Sequence, residues 1–414
     1  MSIARPYVPS ASRAQRTKER FRTSWREDLK IWWREIDRFL LLLVALLMLV
    51  GTAAVAAASP ASAERLSTAD VRLDEFLFLK QHLMWQALGI GAMIGASMLS
   101  RDDARRLGIL IAGGALVLMF LVPFIGSEVN GARRWIDLGM RFQPSEFLKS
   151  GFAILLAWIL SWRLRDPGLP VIAVVTAAMG IVALLLMMQP NLGATLLFSG
   201  VWFVMLLLSG VSVARISALV GFGIAALTAT YFLYDNARYR IDAFIGGGTA
   251  FDQVDLAERT LLGGGWTGSG LWLGVRKMSL PEAHTDYIFS VIGEEFGLLV
   301  CMVVVLLYLA IMLRVFLRLF DEENLFVMLA GSGMIAHIGG QAMINILVNL
   351  QLFPSKGMTL PLVSYGGSST IAVCLTVGLL LAITRRNPYL QRETPGLMEA
   401  LGVEGKTGMG RAAT

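Results

Sequence analysis

The chain has 414 residues; 56% are hydrophobic, 16% are charged, and the formal net charge is +6. That balance excludes an ordinary soluble globular domain, in which charged residues approach a quarter of the chain. The only cysteines, Cys301 and Cys374, lie inside apolar blocks, and His82, His284 and His337 are far apart. Neither a disulfide framework nor a metal-ligand pattern follows. No Walker loop or dinucleotide fingerprint is present, and nothing points to a nucleic acid partner.

The apolar blocks are mostly 18–25 residues long, enough for helices to cross a hydrocarbon core of about 30 Å. The predicted fold class is therefore all-α, a polytopic membrane protein with ten transmembrane helices. The domain reading is a basic tail (1–37), a membrane domain (38–386) and a second tail (387–414). Up to Arg38 the first tail has ten Lys/Arg against five acids, and Trp25, Trp32 and Trp33 among them suggest an interfacial stretch. The first apolar run ends in ASPASAE, which imitates a signal-peptidase site; its long lead-in argues against cleavage. The ten spans are read as 38–58, 81–100, 106–126, 146–163, 169–189, 192–210, 213–235, 286–316, 324–350 and 366–384. RDDARR, RLRD, RVFLR and TRR then fall on the cytoplasmic side, as the positive-inside rule expects, and both termini are predicted cytoplasmic.

Segments 127–145, 236–285 and 351–365 fall outside, yet they and their edges carry Arg133, Arg134, Arg141, Lys149, Arg276, Lys277 and Lys356. Basic residues on the translocated side fit an anionic ligand, since guanidinium groups grip phosphate oxygens bidentately. Internal pairing with Glu128, Asp137, Glu146 and Glu282 is the alternative. The 236–285 loop, about 50 residues and glycine-rich, is long enough to be functional, and its glycines allow close approach or hinge motion. It leads into SLPEAHTDYIFSVIGEEFG (279–297), where Asp286 stands at the lip of a membrane helix. An ionisable group there points to function, although Thr285 or Asp286 opening the helix as an N-cap would look similar. Gln189-Pro190-Asn191 reads as a tight outer turn. Gln341, Asn345 and Asn349 share one helix face, as interhelical glue or as a cavity lining. In PLVSYGGSS (361–369), Ser368 and Ser369 either cap a helix or adjoin backbone N–H groups that hold an anion.

NGARRWI (130–136), QPSEFLK (143–149), QPNLGAT (189–195), LPEAHTDYIFSVIGEEFG (280–297) and PSKGMTLPLVSYGGSS (354–369) occur in order. Together they resemble the SEDS family of membrane proteins (shape, elongation, division, sporulation) over roughly residues 38–390. KGMTLPLVSYGGSS and the basic tail are closer to its division branch than to its elongation branch. Asn191 departs from the aspartate common there. The resemblance implies a peptidoglycan glycosyltransferase in the bacterial inner membrane, at the division septum, with its active site facing the periplasm. Its substrate would be lipid II, the lipid-linked disaccharide-pentapeptide. Its partners would be a class B penicillin-binding transpeptidase of the FtsI type and other divisome proteins.

Displacing a lipid diphosphate from an anomeric carbon needs a base and positive charge. The resemblance makes Asp286 the base. Arg134, Lys149 and Lys356 would neutralise the diphosphate, and Arg133, Arg276 and Lys277 are weaker candidates. Glu146, i, i+3 from Lys149, would pair with it. Gln189, His284, Ser364, Tyr365 and Ser368 would complete the substrate site. On a continuous helix Glu294 would lie about 12 Å from Asp286 along the axis and some 80° round it. Glycosidase pairs are separated by roughly 5–9.5 Å, so one base is expected, with Glu294 and Glu295 structural. A divalent cation, Mg or Mn, near Asp286 would serve the same electrostatic purpose, though no dedicated cage is visible. A lipid II flippase, which needs a polar path across the bilayer, and a non-catalytic divisome scaffold are the alternatives.

Overall fold

A computed structural model describes residues 25–385 except 69, 130–131, 138, 140, 165–167, 234–237, 239–240, 243–245, 247–252 and 355–356. The chain divides into two compact units, residues 38–384 and the two end segments 1–37 and 385–414. In the end segments helix α1 (Trp25–Glu35) exposes Ile31 and Trp33, and Glu35 Oε2 lies 3.4 Å from Arg385 Nε.

The larger unit is helical. Its helices are α2 (Arg38–Leu66), α3 (Leu77–Ser97), α4 (Arg101–Ile125), α5 (Pro144–Ser161), α6 (Val171–Met188) and α7 (Leu192–Leu208). They continue as α8 (Val213–Leu233), α9 (Gln253–Gly263), α10 (Ile288–Phe320), α11 (Leu325–Asn349) and α12 (Gly367–Ile383). Every predicted apolar run coincides with one of these, and α9 is additional. By length and composition α2, α4, α6, α8, α10 and α11 suffice to cross a membrane. Several boundaries differ from expectation: α3 begins at Leu77 rather than 81, α4 at Arg101 rather than 106, and α10 runs on to Phe320 rather than 316. α2 continues past 58 to Leu66, through Pro60 and the Ala-Ser-Ala, because this part is buried and Ser59 Oγ donates to Glu75 O at 2.7 Å. α10 begins at Ile288, not at 286.

Burial grades the bundle. In α11 78% of the apolar stretch is buried, in α8 none. α11 packs on α5, α4 on α5, and α3 on α12. Close approach of the last pair needs a missing side chain: a Cβ on Gly378 would lie 2.5 Å from Met93 O. Between α4 and α5, strands β1 (Ser127–Val129), β2 (Ala132–Asp137) and β3 (Arg141–Phe142) form a small antiparallel sheet in that order, which the sequence reading did not anticipate.

Candidate active site

Asp286 is not the N-cap of α10, and neither is Thr285. That position belongs to Tyr287, which makes no side-chain capping bond. Asp286 is half-buried, and a Cβ on Gly357 would lie 3.1 Å from its Oδ2. Its carbonyl accepts from Asn345 Nδ2 at 2.8 Å and Asn349 Nδ2 at 3.2 Å. The residues before it are held as firmly. Ser364 Oγ donates to Thr285 O at 2.6 Å, and Tyr365 N donates to His284 O at 2.9 Å. Tyr365 Oη donates to Gln81 Oε1. The His284 ring packs 4.3 Å from Phe78 and 5.3 Å from Tyr365. Burial pushes its pKa from 6.5 down to about 4, Glu282 acting upward and Arg65 downward. His284 is thus neutral at ordinary pH, and among the described residues its buried Nδ1 has no hydrogen-bond partner.

A second cluster is a closed ring of side chains. Lys149 Nζ donates to Glu146 Oε1 and to Gln341 Oε1, both at 2.6 Å. Glu146 Oε2 accepts from Ser369 Oγ at 2.9 Å, and Ser369 Oγ lies 3.0 Å from Thr359 Oγ1. Gln341 Nε2 closes the ring, donating to Thr359 Oγ1 at 3.3 Å and Thr359 O at 2.8 Å. Asn345 Nδ2 continues the line to Met358 O at 2.6 Å. The amide stripe therefore works as hydrogen-bonding glue between α11 and two backbone segments. Neither Ser368 nor Ser369 caps α12, whose N-cap is Gly366; Ser368 is half-buried beside the ring.

A third cluster surrounds the α6–α7 turn. Arg134 Nε donates to Gln189 O at 2.9 Å and its Nη2 to Pro190 O. The Gln189 side chain turns inward, donating to Met119 O at 3.0 Å. Asn191 caps α7, accepting from Ala194 N at 3.2 Å, a role an aspartate would fill equally. An apolar groove of about 570 Å³ runs between α7 and α11, lined in part by Leu196, Val204, Met343 and Phe353.

The remaining basic candidates divide. Lys356 lies outside the described residues. Arg133 is exposed, 3.5 Å from Glu128. Arg276 Nη1 donates to Arg259 O at 2.6 Å. Lys277 is buried, donating to Glu295 Oε1 and, at 2.9 Å, to Ala57 O of α2. Glu294 accepts from the backbone N of Arg276 (2.6 Å) and Lys277 (2.9 Å), and Glu295 from those of Trp272 and Gly274. Since Asp286 precedes the helix, the helical spacing expected between it and Glu294 does not apply. The two glutamates are occupied all the same, in clasping the outer segment. Its glycines serve close approach: a Cβ on Gly268 (φ +84°) would lie 2.2 Å from Glu295 O. Among the described residues no three His, Cys, Asp or Glu side chains gather into a cation cage. Sequence reasoning missed Gly357, Thr359 and Phe78; for the amide stripe the signal, its spacing, was visible and only its partners were not.

A many-helix membrane bundle with a pinned aspartate at one helix lip is the class that fold and site define. The FtsW/RodA/SpoVE family profile, described as "Cell cycle protein", matches residues 37–389, and the chain belongs to that family. It is 35% identical over 389 residues to the "Probable peptidoglycan glycosyltransferase FtsW" of Caulobacter vibrioides, covering 94% of this chain and 96% of the relative. The protein of the same description from Methylococcus capsulatus is 36% identical over 365 residues, covering 84% and 89%. Among solved structures, a chain from "Structural coordination of polymerization and crosslinking by a peptidoglycan synthase complex" superposes with a TM-score of 0.67. It is 27% identical, and 84% of this chain and 97% of that one are covered. The rod shape determining protein RodA of Thermus thermophilus gives a TM-score of 0.63 at 29% identity, covering 85% and 97%.

Proposed function

We propose that the chain is a peptidoglycan glycosyltransferase that polymerises lipid II during septal wall synthesis. Asp286 accepts the proton of the attacking sugar hydroxyl, whose oxygen bonds to the anomeric carbon. The bond from that carbon to the diphosphate breaks, and the lipid diphosphate leaves. Arg134, beside the Gln189–Pro190 turn, and Lys356 supply positive charge to the leaving group. Lys149, bonded to Glu146 and Gln341, acts through the ring that carries Thr359 and Ser369. The apolar groove offers room for a polyisoprenyl chain. A Mg or Mn ion near Asp286 would add positive charge for the departing diphosphate, and no step depends on it. Ten crossings, cytoplasmic termini, a periplasmic site and a class B transpeptidase partner complete the proposal.

The observation that carries it is Asp286, held outside the helix by two amides in a chain whose relatives are named for this activity. The test is glycan-strand formation from lipid II by the purified, full-length protein with its partner transpeptidase. Asp286→Asn keeps the size of the side chain but cannot take a proton, so a loss of about 10²–10⁴-fold is expected. Equal polymer from both proteins would overturn the assignment and favour a scaffold.

A further inference from the structure

We infer that Asn349 is a positioning residue for Asp286, a wedge that keeps the first turn of α10 from closing over it. In a continuing helix Ser290 N–H would donate to Asp286 O, four residues back. Here Ser290 N donates to Tyr287 O at 3.0 Å and to Asn349 Oδ1 at 3.2 Å. Asn349 Nδ2 in turn donates to Asp286 O at 3.2 Å. The asparagine amide thus stands between the two groups that would otherwise make one more helical bond. Its orientation is not arbitrary. Ser290 Oγ also meets Oδ1 at 2.7 Å, and Nδ2 has a second acceptor in Asn345 O at 2.9 Å. Both ends of the amide therefore match their neighbours, and a flipped amide would face two carbonyls.

Asn345, one turn earlier, completes the device. Its Nδ2 bridges Asp286 O and Met358 O, so it ties Asp286 to the segment that places Gly357 against the carboxylate. Asn345 is 2% exposed and Asn349 0%. Buried donors aimed at carbonyls this way are costly to leave unmet. Without the wedge, Ser290 N–H would keep Tyr287 O and the Asp286 carbonyl would keep Asn345, each one partner short, so the two would be drawn together, lengthening α10 backward and swinging the carboxylate away from its place. The inference rests on Asp286 being the base. It asks of Asn349 no contact with substrate, only that the carboxylate stay where it is useful.

The test measures kcat, the half-saturating lipid II concentration and the thermal unfolding midpoint. It uses full-length Asn349→Leu, Asn349→Asp and Asp286→Asn with the partner transpeptidase. Asn349→Leu removes the wedge. Asn349→Asp keeps the acceptor for Ser290 but sets an oxygen against Asp286 O. Both should lose about 10–100-fold in kcat, the scale of a small misplacement of a reacting group. Half-saturation should stay within about threefold, because an interaction felt only in the transition state leaves ground-state binding intact. Asn349→Gln, which retains the amide, should recover part of the rate. A kcat at the wild-type level in both variants, with Asp286→Asn inactive, overturns the wedge and leaves the base assignment standing. Equal loss of rate, lipid II affinity and melting temperature also overturns it, as a general structural effect. Full activity of Asp286→Asn shows that the base assignment has failed instead. Should Asn349→Leu not fold, Asn349→Asp and Asn345→Leu decide by the same readouts.

Discussion

Gly357 leaves room for Asp286 that no other residue would. A Cβ there would stand 3.1 Å from Oδ2, closer than ordinary van der Waals contact, so the carboxylate would have to yield by a few tenths of an ångström. Gly357→Ala should therefore cost roughly tenfold in polymerisation rate, since reacting groups misplaced by about 1 Å lose around 100-fold. The unfolding midpoint should hardly move; an unchanged rate would mean that the carboxylate tolerates displacement. His284 makes a different prediction, about pH. Its pKa is 6.5 when exposed and about 4 here, so below 6.5 the unfolded chain binds a proton that the folded one does not. The stabilisation is fully present above 6.5 and is lost as pH falls towards 4. Each pKa unit corresponds to about 1.4 kcal/mol, which makes the loss of order 3 kcal/mol. Melting curves at pH 7, 5.5 and 4.5 should show this decline in the wild type and a shallower one in His284→Phe. Parallel declines would assign the acid sensitivity elsewhere.

At the scale of elements, α10 and the outer segment before it form one clasp. Two carboxylates, Glu294 and Glu295, bind four backbone N–H groups and the Lys277 ammonium. Removing one partner of a buried pair leaves an uncompensated charge, at a cost of about 3–5 kcal/mol. Lys277→Met should lower the unfolding midpoint accordingly, and adding Glu295→Gln should restore part of it. Additive losses in the double variant would mean that the two residues do not act as a pair. How far such elements could be read from the sequence depended on their period. Apolar runs such as Val171–Met188 declared themselves by length alone, and the Glu146–Lys149 pair followed from i, i+3 spacing. The sheet at 127–142 and helix α9 did not: both are short, lie among charged and glycine-rich residues, and gain their form from packing against the bundle. Lys277 was legible as a cation on the outer side, yet its partner Glu295 lies 18 residues on, a distance that no local pattern reports. Asp286 was singled out because its motif is specific, whereas its non-helical backbone was hidden, since the amides that hold it come from α11.

At the largest scale, the unit of residues 38–384 has two unlike ends. The Asp286 network, the Lys149 ring and the glutamate clasp gather where α5, α10 and α12 begin and α11 finishes. At the other ends of these helices arginines meet helix C-termini: Arg163 donates to Ser209 O at 2.7 Å and Gly210 O at 3.1 Å, and Arg318 to Thr384 O at 3.0 Å. Cations favour helix C-termini, and arginine-rich ends favour the cytoplasm. The site end should therefore face outward, where a lipid-linked sugar is to be joined. Cysteine labelling tests this directly. Cys301 and Cys374 are buried, 4% and 0% exposed, so they should stay silent to a membrane-impermeant maleimide. Ser269, on the clasped segment, and Asp102, at the start of α4, are both exposed. Among the described residues neither substitution breaks a buried contact: Asp102 pairs with Arg105 at the surface, and Ser269 engages through its backbone. In spheroplasts, Ser269→Cys should label from outside and Asp102→Cys only after the membrane is opened. The reverse pattern would put Asp286 on the cytoplasmic side, where it could not act on a substrate presented at the outer face, and would refute the proposed reaction together with the topology.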